Sequence, residues 1–101
     1  MRNIPLDAVP NQQLIVTLDS NRWELTIKEA RGVMCADVML NDEVLILGQR
    51  IVAGTPLLPY RYLQGAGNFV LLTDADELPY WTRFGVDQQL VYASAGEIAN
   101  A

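Results

Sequence analysis

Apolar and polar residues alternate along residues 12–32, QQLIVTLDSNRWELTIKEARG, and this alternation constrains the fold more than any other feature. Two sets of apolar residues keep a spacing of two: Leu14, Val16 and Leu18, then Trp23, Leu25 and Ile27. Side chains spaced by two in a strand lie on the same face of the sheet. The residues DSN between the two sets are typical of a tight turn. The pattern therefore predicts a β-hairpin with one apolar face.

The next two runs extend this meander. In VMCADVML, residues 33–40, the inward positions are expected to be Met34, Ala36, Val38 and Leu40, with Asp37 outward. After a second turn at NDE, residues 41–43, the run VLILGQRIV begins with four consecutive apolar residues. Such a run is typical of a strand that is covered on both faces, and here one cover is expected from a neighbouring chain. Gly48 is expected to mark a bulge or a bend.

Two further strands are predicted at NFVLLT, residues 68–73, and QLVYA, residues 89–93, with a polar and aromatic loop between them. Short strands separated by frequent turns predict an all-β domain, a small antiparallel β-barrel or sandwich of about six to eight strands with long Pro/Gly-containing loops. Residues 1–93 are expected to form this single domain. The small residues of SAGEIANA, residues 94–101, predict a short flexible C-terminal tail.

The overall composition argues for assembly with other proteins. The chain has 101 residues, half of them apolar, which is more than a domain of this size hides easily. Its formal net charge is −5 and no segment is basic, which argues against nucleic-acid binding. The opening MRNIPLDAVP lacks the apolar run of a signal peptide, and no apolar run is long enough to span a membrane. A soluble protein made in a reducing compartment is expected.

The sequence contains few residues that are suited to catalysis or to metal binding. The chain has no histidine, so the usual general base and commonest metal ligand are missing. The acidic run DADE, residues 74–77, lacks the spacing of a calcium loop and is expected to be a solvated loop. Cys35 is expected to be a small buried side chain. The prediction is a protein that is not an enzyme and has no cofactor and no metal site.

Two loops contain the candidate contact residues. Aromatic residues and arginine are enriched at protein interfaces, and prolines hold a loop in shape before it binds. The first loop offers Pro56, Leu57, Leu58, Tyr60, Arg61 and Tyr62, and the second offers Tyr80, Trp81, Arg83 and Phe84. An equal alternative is that Trp81 and Phe84 fold back to cover the core.

The order of these motifs resembles a known family. The chain opens with IPL, continues with the strand LIVTL, and later contains LGQRIVAGTPLLPYRYLQGAGNFVLLTD and a closing LVY. From Ile4 to about Tyr92 it resembles the plug-type baseplate proteins of contractile-tailed bacteriophages, the Pam3-like cyanophage plug family. It departs from that pattern in KEARGVMCADV, which lacks the Trp-Asn pair and the further tryptophan of family members.

The resemblance implies a structural virion protein of the tail baseplate, made in the host cytoplasm. Its expected partners are the tail tube, the baseplate hub and wedge or sheath-proximal proteins, with several copies in a ring. Its expected role is a plug or latch that stabilises the state before contraction. One alternative from another class stays open, a small-ligand or carbohydrate-binding β-barrel module, since an aromatic loop lies beside a carboxylate cluster.

Overall fold

A computed structural model describes residues 2–60, 65–74 and 77–99. Within these residues the chain forms seven strands in two antiparallel sheets. The strands are β1 (Arg2–Ile4), β2 (Gln12–Leu18), β3 (Asn21–Ala30), β4 (Val33–Leu40), β5 (Glu43–Arg50), β6 (Asn68–Leu72) and β7 (Gln89–Ala93). One sheet has the order β2-β3-β4-β5 and the other has the order β1-β7-β6. The all-β prediction is confirmed, and the domain is a sandwich and not a closed barrel.

Two-residue turns join the consecutive strands of the four-stranded sheet. In each turn both central residues have positive φ: Asp19 and Ser20, Arg31 and Gly32, Asn41 and Asp42. Positive φ at both positions is characteristic of type I′ turns, whose twist matches that of the paired strands. The pleat between the turns then places Trp23, Leu25 and Ile27 in the core, as their spacing predicts.

β5 is an edge strand and only one of its faces is covered by described residues. Val44 is 50% exposed and Leu47 is 68% exposed, so the cover predicted for the second face is not supplied by the described chain. The register between β4 and β5 shifts twice, and Gly48 has a φ of 64°. The Gly48 N–H donates to Asp37 Oδ1 at 2.7 Å, while Lys28 Nζ contacts Asp37 Oδ2 at 2.7 Å. Such bulges protect an edge against the addition of another strand.

An aromatic cluster joins the two sheets in the core. The Trp23 ring lies 5.0 Å from Phe69 and 6.1 Å from Tyr92, centroid to centroid, and Phe69 lies 5.3 Å from Tyr92. The Tyr92 hydroxyl lies 3.0 Å from Asp19 Oδ2 and 2.8 Å from the Ala66 carbonyl oxygen. Burial and the hydrogen bond to Asp19 raise the pKa of Tyr92 to about 12. This hydroxyl therefore stays protonated and ties the β2–β3 turn to the second sheet.

The sandwich has two ends, which we name after an exposed residue at each. At the Tyr60 end lie Tyr60, the turn at Asp19 and Ser20, and the start of β6. At the Leu78 end lie Leu78, the turn at Arg31 and Gly32, and the start of β7. The described parts of the two loops that carry the candidate contact residues therefore lie at opposite ends of the domain.

A short helix, α1 (Ala95–Ala99), follows β7. The Glu97 N–H donates to Ser94 Oγ at 3.2 Å, and the Ser94 N–H donates to Glu97 Oε1 at 3.1 Å, which is a capping box. The sequence contains this motif as SAGE, although the small residues around it predict a flexible tail. The flexibility of residues 94–101 stays a prediction. None of the described helices is long and apolar enough to cross a membrane.

Candidate interaction surfaces

The segment that leads into the first candidate loop, from Gly54 to Leu57, runs as an irregular extension of the three-stranded sheet. The Gly54 N–H donates to the Leu71 carbonyl at 2.9 Å, and the Leu57 N–H donates to the Phe69 carbonyl at 2.7 Å. These bonds cover the edge of β6 that would otherwise be open. The segment is therefore held against the sandwich before it reaches the Tyr60 end.

The residues of this loop divide between the core and the surface. Leu57 and Leu58 are buried in the core, whereas Pro56 is exposed and Tyr60 is 55% exposed. The last two candidates of the loop lie outside the described residues: Arg61 and Tyr62. Contact with another protein through any of these six residues stays a prediction.

A buried amide fixes the first loop where it leaves the sheet. Asn68 Nδ2 donates to the Leu58 carbonyl at 2.9 Å, and Asn68 Oδ1 accepts the Leu58 N–H at 2.9 Å. The same oxygen accepts the Phe69 N–H at 2.8 Å. The side chain pairs with both backbone groups of one residue, as a neighbouring strand would. A buried amide with all these bonds made rigidifies the loop that precedes Tyr60.

A second buried amide fixes the other loop in the same way. Gln88 is completely buried, its Nε2 donates to the Leu78 carbonyl at 2.9 Å, and its Oε1 accepts the Tyr80 N–H at 2.9 Å. The Gly85 N–H in turn donates to the Gln88 carbonyl at 2.9 Å. The loop is thus closed on itself around one glutamine, and its backbone is fixed although it contains little regular structure.

The aromatic residues of the second loop are only partly available to a partner. Phe84 is buried in the core, while Tyr80 and Trp81 are half-buried and pack against the core. The Tyr80 and Trp81 rings are tilted, with centroids 5.8 Å apart. Phe84 therefore folds back onto the core, as one of the two alternatives expected. The Tyr80 and Trp81 rings also cover the core, but each still presents an outer edge to solvent.

Arg83 is exposed in this loop and is held by two carboxylates. Its guanidinium forms a two-pronged ion pair with Asp87 and lies 3.7 Å from Glu77 Oε1. The hydrogen bonds with Arg83 lower the pKa of Asp87, and those same bonds raise the pKa of Arg83. One guanidinium thus faces two carboxylates, so the surface of the loop beside the two aromatic rings carries a net negative charge.

A cleft at the Leu78 end was not found from the sequence. It has a volume of about 270 Å³ and runs between Val52, which is 47% exposed, and Leu78, which is 75% exposed. Arg50 and Glu77 also line it. The sequence patterns place Val52 in a strand and Leu78 in a polar and aromatic loop, and no local pattern predicts that the two residues face one another.

The described residues contain no group of three or more acidic, cysteine or histidine side chains arranged to hold a metal ion. Cys35 is partly exposed, and the prediction that it is buried is wrong. It alternates with the buried Met34 and Ala36 along β4, so its side chain lies on the outward face of the four-stranded sheet, where its register partners are Lys28 and Arg50. Of the acidic run at 74–77, residues 75 and 76 lie outside the described residues.

Comparison with protein families gives one match over nearly the whole chain. The family model described as "Cyanophage baseplate Pam3 plug gp18" matches residues 1–95. A comparison with curated proteins found no match. The family match covers both sheets, both candidate loops and the capping serine of α1.

Proposed function

The chain belongs to the cyanophage baseplate Pam3 plug family, and we propose that it is a plug or latch subunit that stabilises a contractile tail baseplate before contraction. Membership of this family makes it a structural baseplate protein that associates with other baseplate components in the virion. The proposed mechanism is mechanical and involves no catalysis. Contacts with neighbouring proteins hold the assembly in its extended state, and contraction breaks them.

The observation that carries this proposal is the placement of two fixed loops at opposite ends of one sandwich. Asn68 fixes the loop at the Tyr60 end, and Gln88 fixes the loop at the Leu78 end. Because both loops are held before binding, little conformational entropy is lost when a partner packs on them. A domain with a fixed contact surface at each end can join two neighbours and resist their separation.

The proposed neighbours are the tail tube, the baseplate hub and wedge or sheath-proximal proteins, with several copies of the chain in a ring. The contact residues that a partner can reach are Pro56, Tyr60, Tyr80, Trp81 and Arg83. Three other candidates are buried in the core and would contribute by fixing the shape of the loops: Leu57, Leu58 and Phe84. Arg61 and Tyr62 are proposed as contacts from the sequence alone.

Two alanine substitutions, Tyr60→Ala and Trp81→Ala, test the two ends separately. Each is expected to lower the yield of infectious tails by about tenfold or more, the size of effect that an interface hot spot carries. The matched control is Ile15→Ala on the outward face of β2, because Ile15 is 56% exposed and lies in neither loop. Thermal unfolding of each purified variant separates lost contacts from lost stability.

The readouts are particle counts by electron microscopy and the infectious titre. Normal assembly and titre with both variants would contradict the assignment of contacts. A defect that is equally large in Ile15→Ala would also contradict it, since it would indicate a general sensitivity to surface truncation.

The geometry gives less support to a carbohydrate-binding module. Sugar-binding sites use exposed aromatic faces, but the Tyr80 and Trp81 rings pack on one another and on the core. Neither ring lines the cleft beside Leu78.

A further inference from the structure

We propose that two free copies of this chain pair through the open edge of β2. The two β2 strands run antiparallel, in one register centred on Ile15, and join the four-stranded sheets of the two copies into one continuous sheet. The inference goes beyond the proposed function and does not rest on it, because it concerns the protein outside the tail and an edge that neither candidate loop contains.

Every second residue of β2 directs its backbone N–H and C=O groups away from β3. The two-residue turn after β2 makes Leu18 and Asn21 a hydrogen-bonded pair, and such pairs alternate with non-bonded pairs along an antiparallel ladder. Three residues of β2 therefore have outward backbone groups: Gln13, Ile15 and Thr17. Among the residues that the structure describes, none hydrogen-bonds to these groups. They form an open ladder that accepts another strand.

β2 lacks the features that protect the other described edges. Its sequence, QQLIVTL, has no charged residue and no proline, and its register with β3 has no shift. By contrast, β5 has bulges, the segment from Gly54 to Leu57 covers the edge of β6, and β1 is only three residues long. A regular, uncharged edge of this kind is a template for pairing with another chain.

The side chains of β2 are complementary to a second, antiparallel copy of β2. When Ile15 lies opposite Ile15 of the second copy, Gln13 of each copy lies opposite Thr17 of the other. An apolar cross-strand pair is then flanked on both sides by a polar pair. All three side chains are exposed in the single copy, Ile15 at 56%. No charged side chain meets a like charge, since Asp19 of each copy lies at opposite ends of the shared ladder.

The inner face of β2 gives a second reason for this partner and register. Leu14 and Val16 pack against the core but are only partly buried, because no described strand lies beyond them. In the register centred on Ile15, Leu14 of one copy lies opposite Val16 of the other, in a non-bonded pair whose side chains approach closely. The two copies thus cover each other's incomplete core edge. Any shift of the register leaves outward backbone groups unpaired.

The pairing ends at two copies. A two-fold contact uses the same edge of both chains, so β2 is fully used in the pair. The outer edges of the joined sheet are then the two β5 strands, whose bulges oppose further addition. Because the copies run antiparallel, the Tyr60 end of one lies beside the Leu78 end of the other. Both candidate loops remain free to contact other proteins.

The first test measures the mass of the purified full chain by sedimentation equilibrium. The mass is expected to rise from the 11.2 kDa of one chain toward twice that value as the concentration increases to about 1 mM. Over the same concentrations, hydrogen exchange followed by NMR should show increasing protection of three amides: Gln13, Ile15 and Thr17. The amides of Leu14 and Val16, which bond to β3, should be protected at every concentration.

Charged substitutions at position 15 test the register. Ile15→Lys or Ile15→Glu alone places like charges opposite each other and should weaken the pairing by about tenfold. An equimolar mixture of the two variants should recover the pairing, since opposite charges then face each other. The control is Val44→Lys, at a valine that is 50% exposed near the other edge of the same sheet, and it should not change the pairing. Ile15→Ala keeps the backbone ladder and adds no charge, so this variant should stay paired.

A chain that keeps the mass of one copy up to the highest concentration overturns the inference. So does pairing that leaves the three outward amides of β2 unprotected, since the copies would then meet elsewhere. Unchanged pairing in Ile15→Lys, or no recovery in the mixture, also overturns it. If a charged variant does not fold, the exchange measurement on the parent decides the question by itself. None of these measurements uses tails, so the failure of the inference and the failure of the proposed function are distinguishable.

Discussion

At the scale of the residue, two amide side chains do what a paired strand does elsewhere in the domain. Asn68 and Gln88 are buried, and each bonds the backbone of a loop that has no regular partner. Local sequence gives no sign of this, because asparagine and glutamine are usually solvent-exposed. Their role becomes visible only when the distant loops are placed against them.

Replacing Gln88 with alanine is expected to lower the free energy of unfolding by about 2–3 kcal/mol. The Tyr80 N–H and the Leu78 carbonyl, which are partly buried, would lose their bonds to the buried Gln88 side chain, and an unsatisfied polar group costs roughly 1–3 kcal/mol when it is shielded from water. Gln13→Ala on the exposed outer face of β2 is the control, with a change within about 0.5 kcal/mol. Urea unfolding followed by tryptophan fluorescence measures both. Equal losses in the free energy of unfolding from the two substitutions would contradict the role of Gln88 in holding the loop.

Gly67 is the glycine whose replacement should be most harmful. It has a φ of 129°, and a Cβ there would lie 2.6 Å from Tyr92 Cε1 and 2.8 Å from the Ala93 carbonyl oxygen. Gly67→Ala is therefore expected to cost about 3 kcal/mol or more, from overpacking and backbone strain together. Gly65→Ala, where no atom lies within 4 Å, is the control. Thermal unfolding of the two variants should differ strongly, and similar melting temperatures would disprove the close approach to Tyr92.

At the scale of the element, the hairpins can be improved at their turns. Ser20 has a φ of 66°, a conformation that costs most residues about 1–2 kcal/mol. Ser20→Gly creates the Asp-Gly sequence preferred in type I′ turns and is expected to raise the free energy of unfolding by about 0.5–1 kcal/mol after the added entropy of the unfolded chain. Ser20→Val should lower it. Urea unfolding midpoints check both, and a loss of stability in the glycine variant would contradict the assigned turn.

The β5 bulge should make stability depend on pH. The hydrogen bond from Lys28, together with that from the Gly48 N–H, lowers the pKa of Asp37 below its ordinary value of 3.8. Ionised Asp37 therefore stabilises the fold above the unfolded-state pKa of about 3.9, and this contribution is lost as the pH falls through the lower folded-state pKa.

Comparison of the parent with Asp37→Asn tests this dependence. Their urea midpoints should differ most near pH 6, and the difference should shrink as the pH falls below about 4. All other carboxylates are common to both proteins and cancel in the comparison. A difference that stays constant from pH 6 to pH 2.5 would contradict the role of the Asp37 charge.

At the scale of the whole molecule, the alternation of apolar residues was enough to predict β2, β3 and β4 with their inward faces. β6 and β7 followed from short apolar runs between turn residues. β1, with only three residues, has too little pattern to be recognised, and its pairing with β7 joins positions far apart in the chain. The choice between sandwich and barrel depends on such long-range pairings, which local periodicity does not contain.

The candidate loops were identified from composition, but their geometry was not. Proline, glycine and aromatic residues indicate a stiff and apolar loop, yet they do not show which side chains turn inward. Leu57, Leu58 and Phe84 were grouped with Tyr60 and Trp81, although the first three are core residues. The distinction requires the register of the loop against β6 and β7. The same register places the two candidate loops, and with them Tyr60 and Trp81, at opposite ends of the sandwich. A single partner surface therefore does not cover both loops.

The pairing of β1 with β7 has a practical consequence for imaging and engineering. Because Arg2 lies opposite Tyr92 and α1 follows directly, both ends of the described chain meet at one pole of the molecule. A fluorescent protein or affinity handle attached next to β1 or α1 would project away from the cleft that Val52 and Leu78 form. A short linker from α1 to β1 would also yield a circular permutant, which could be opened at the Arg31–Gly32 turn while both sheets still pack on one another.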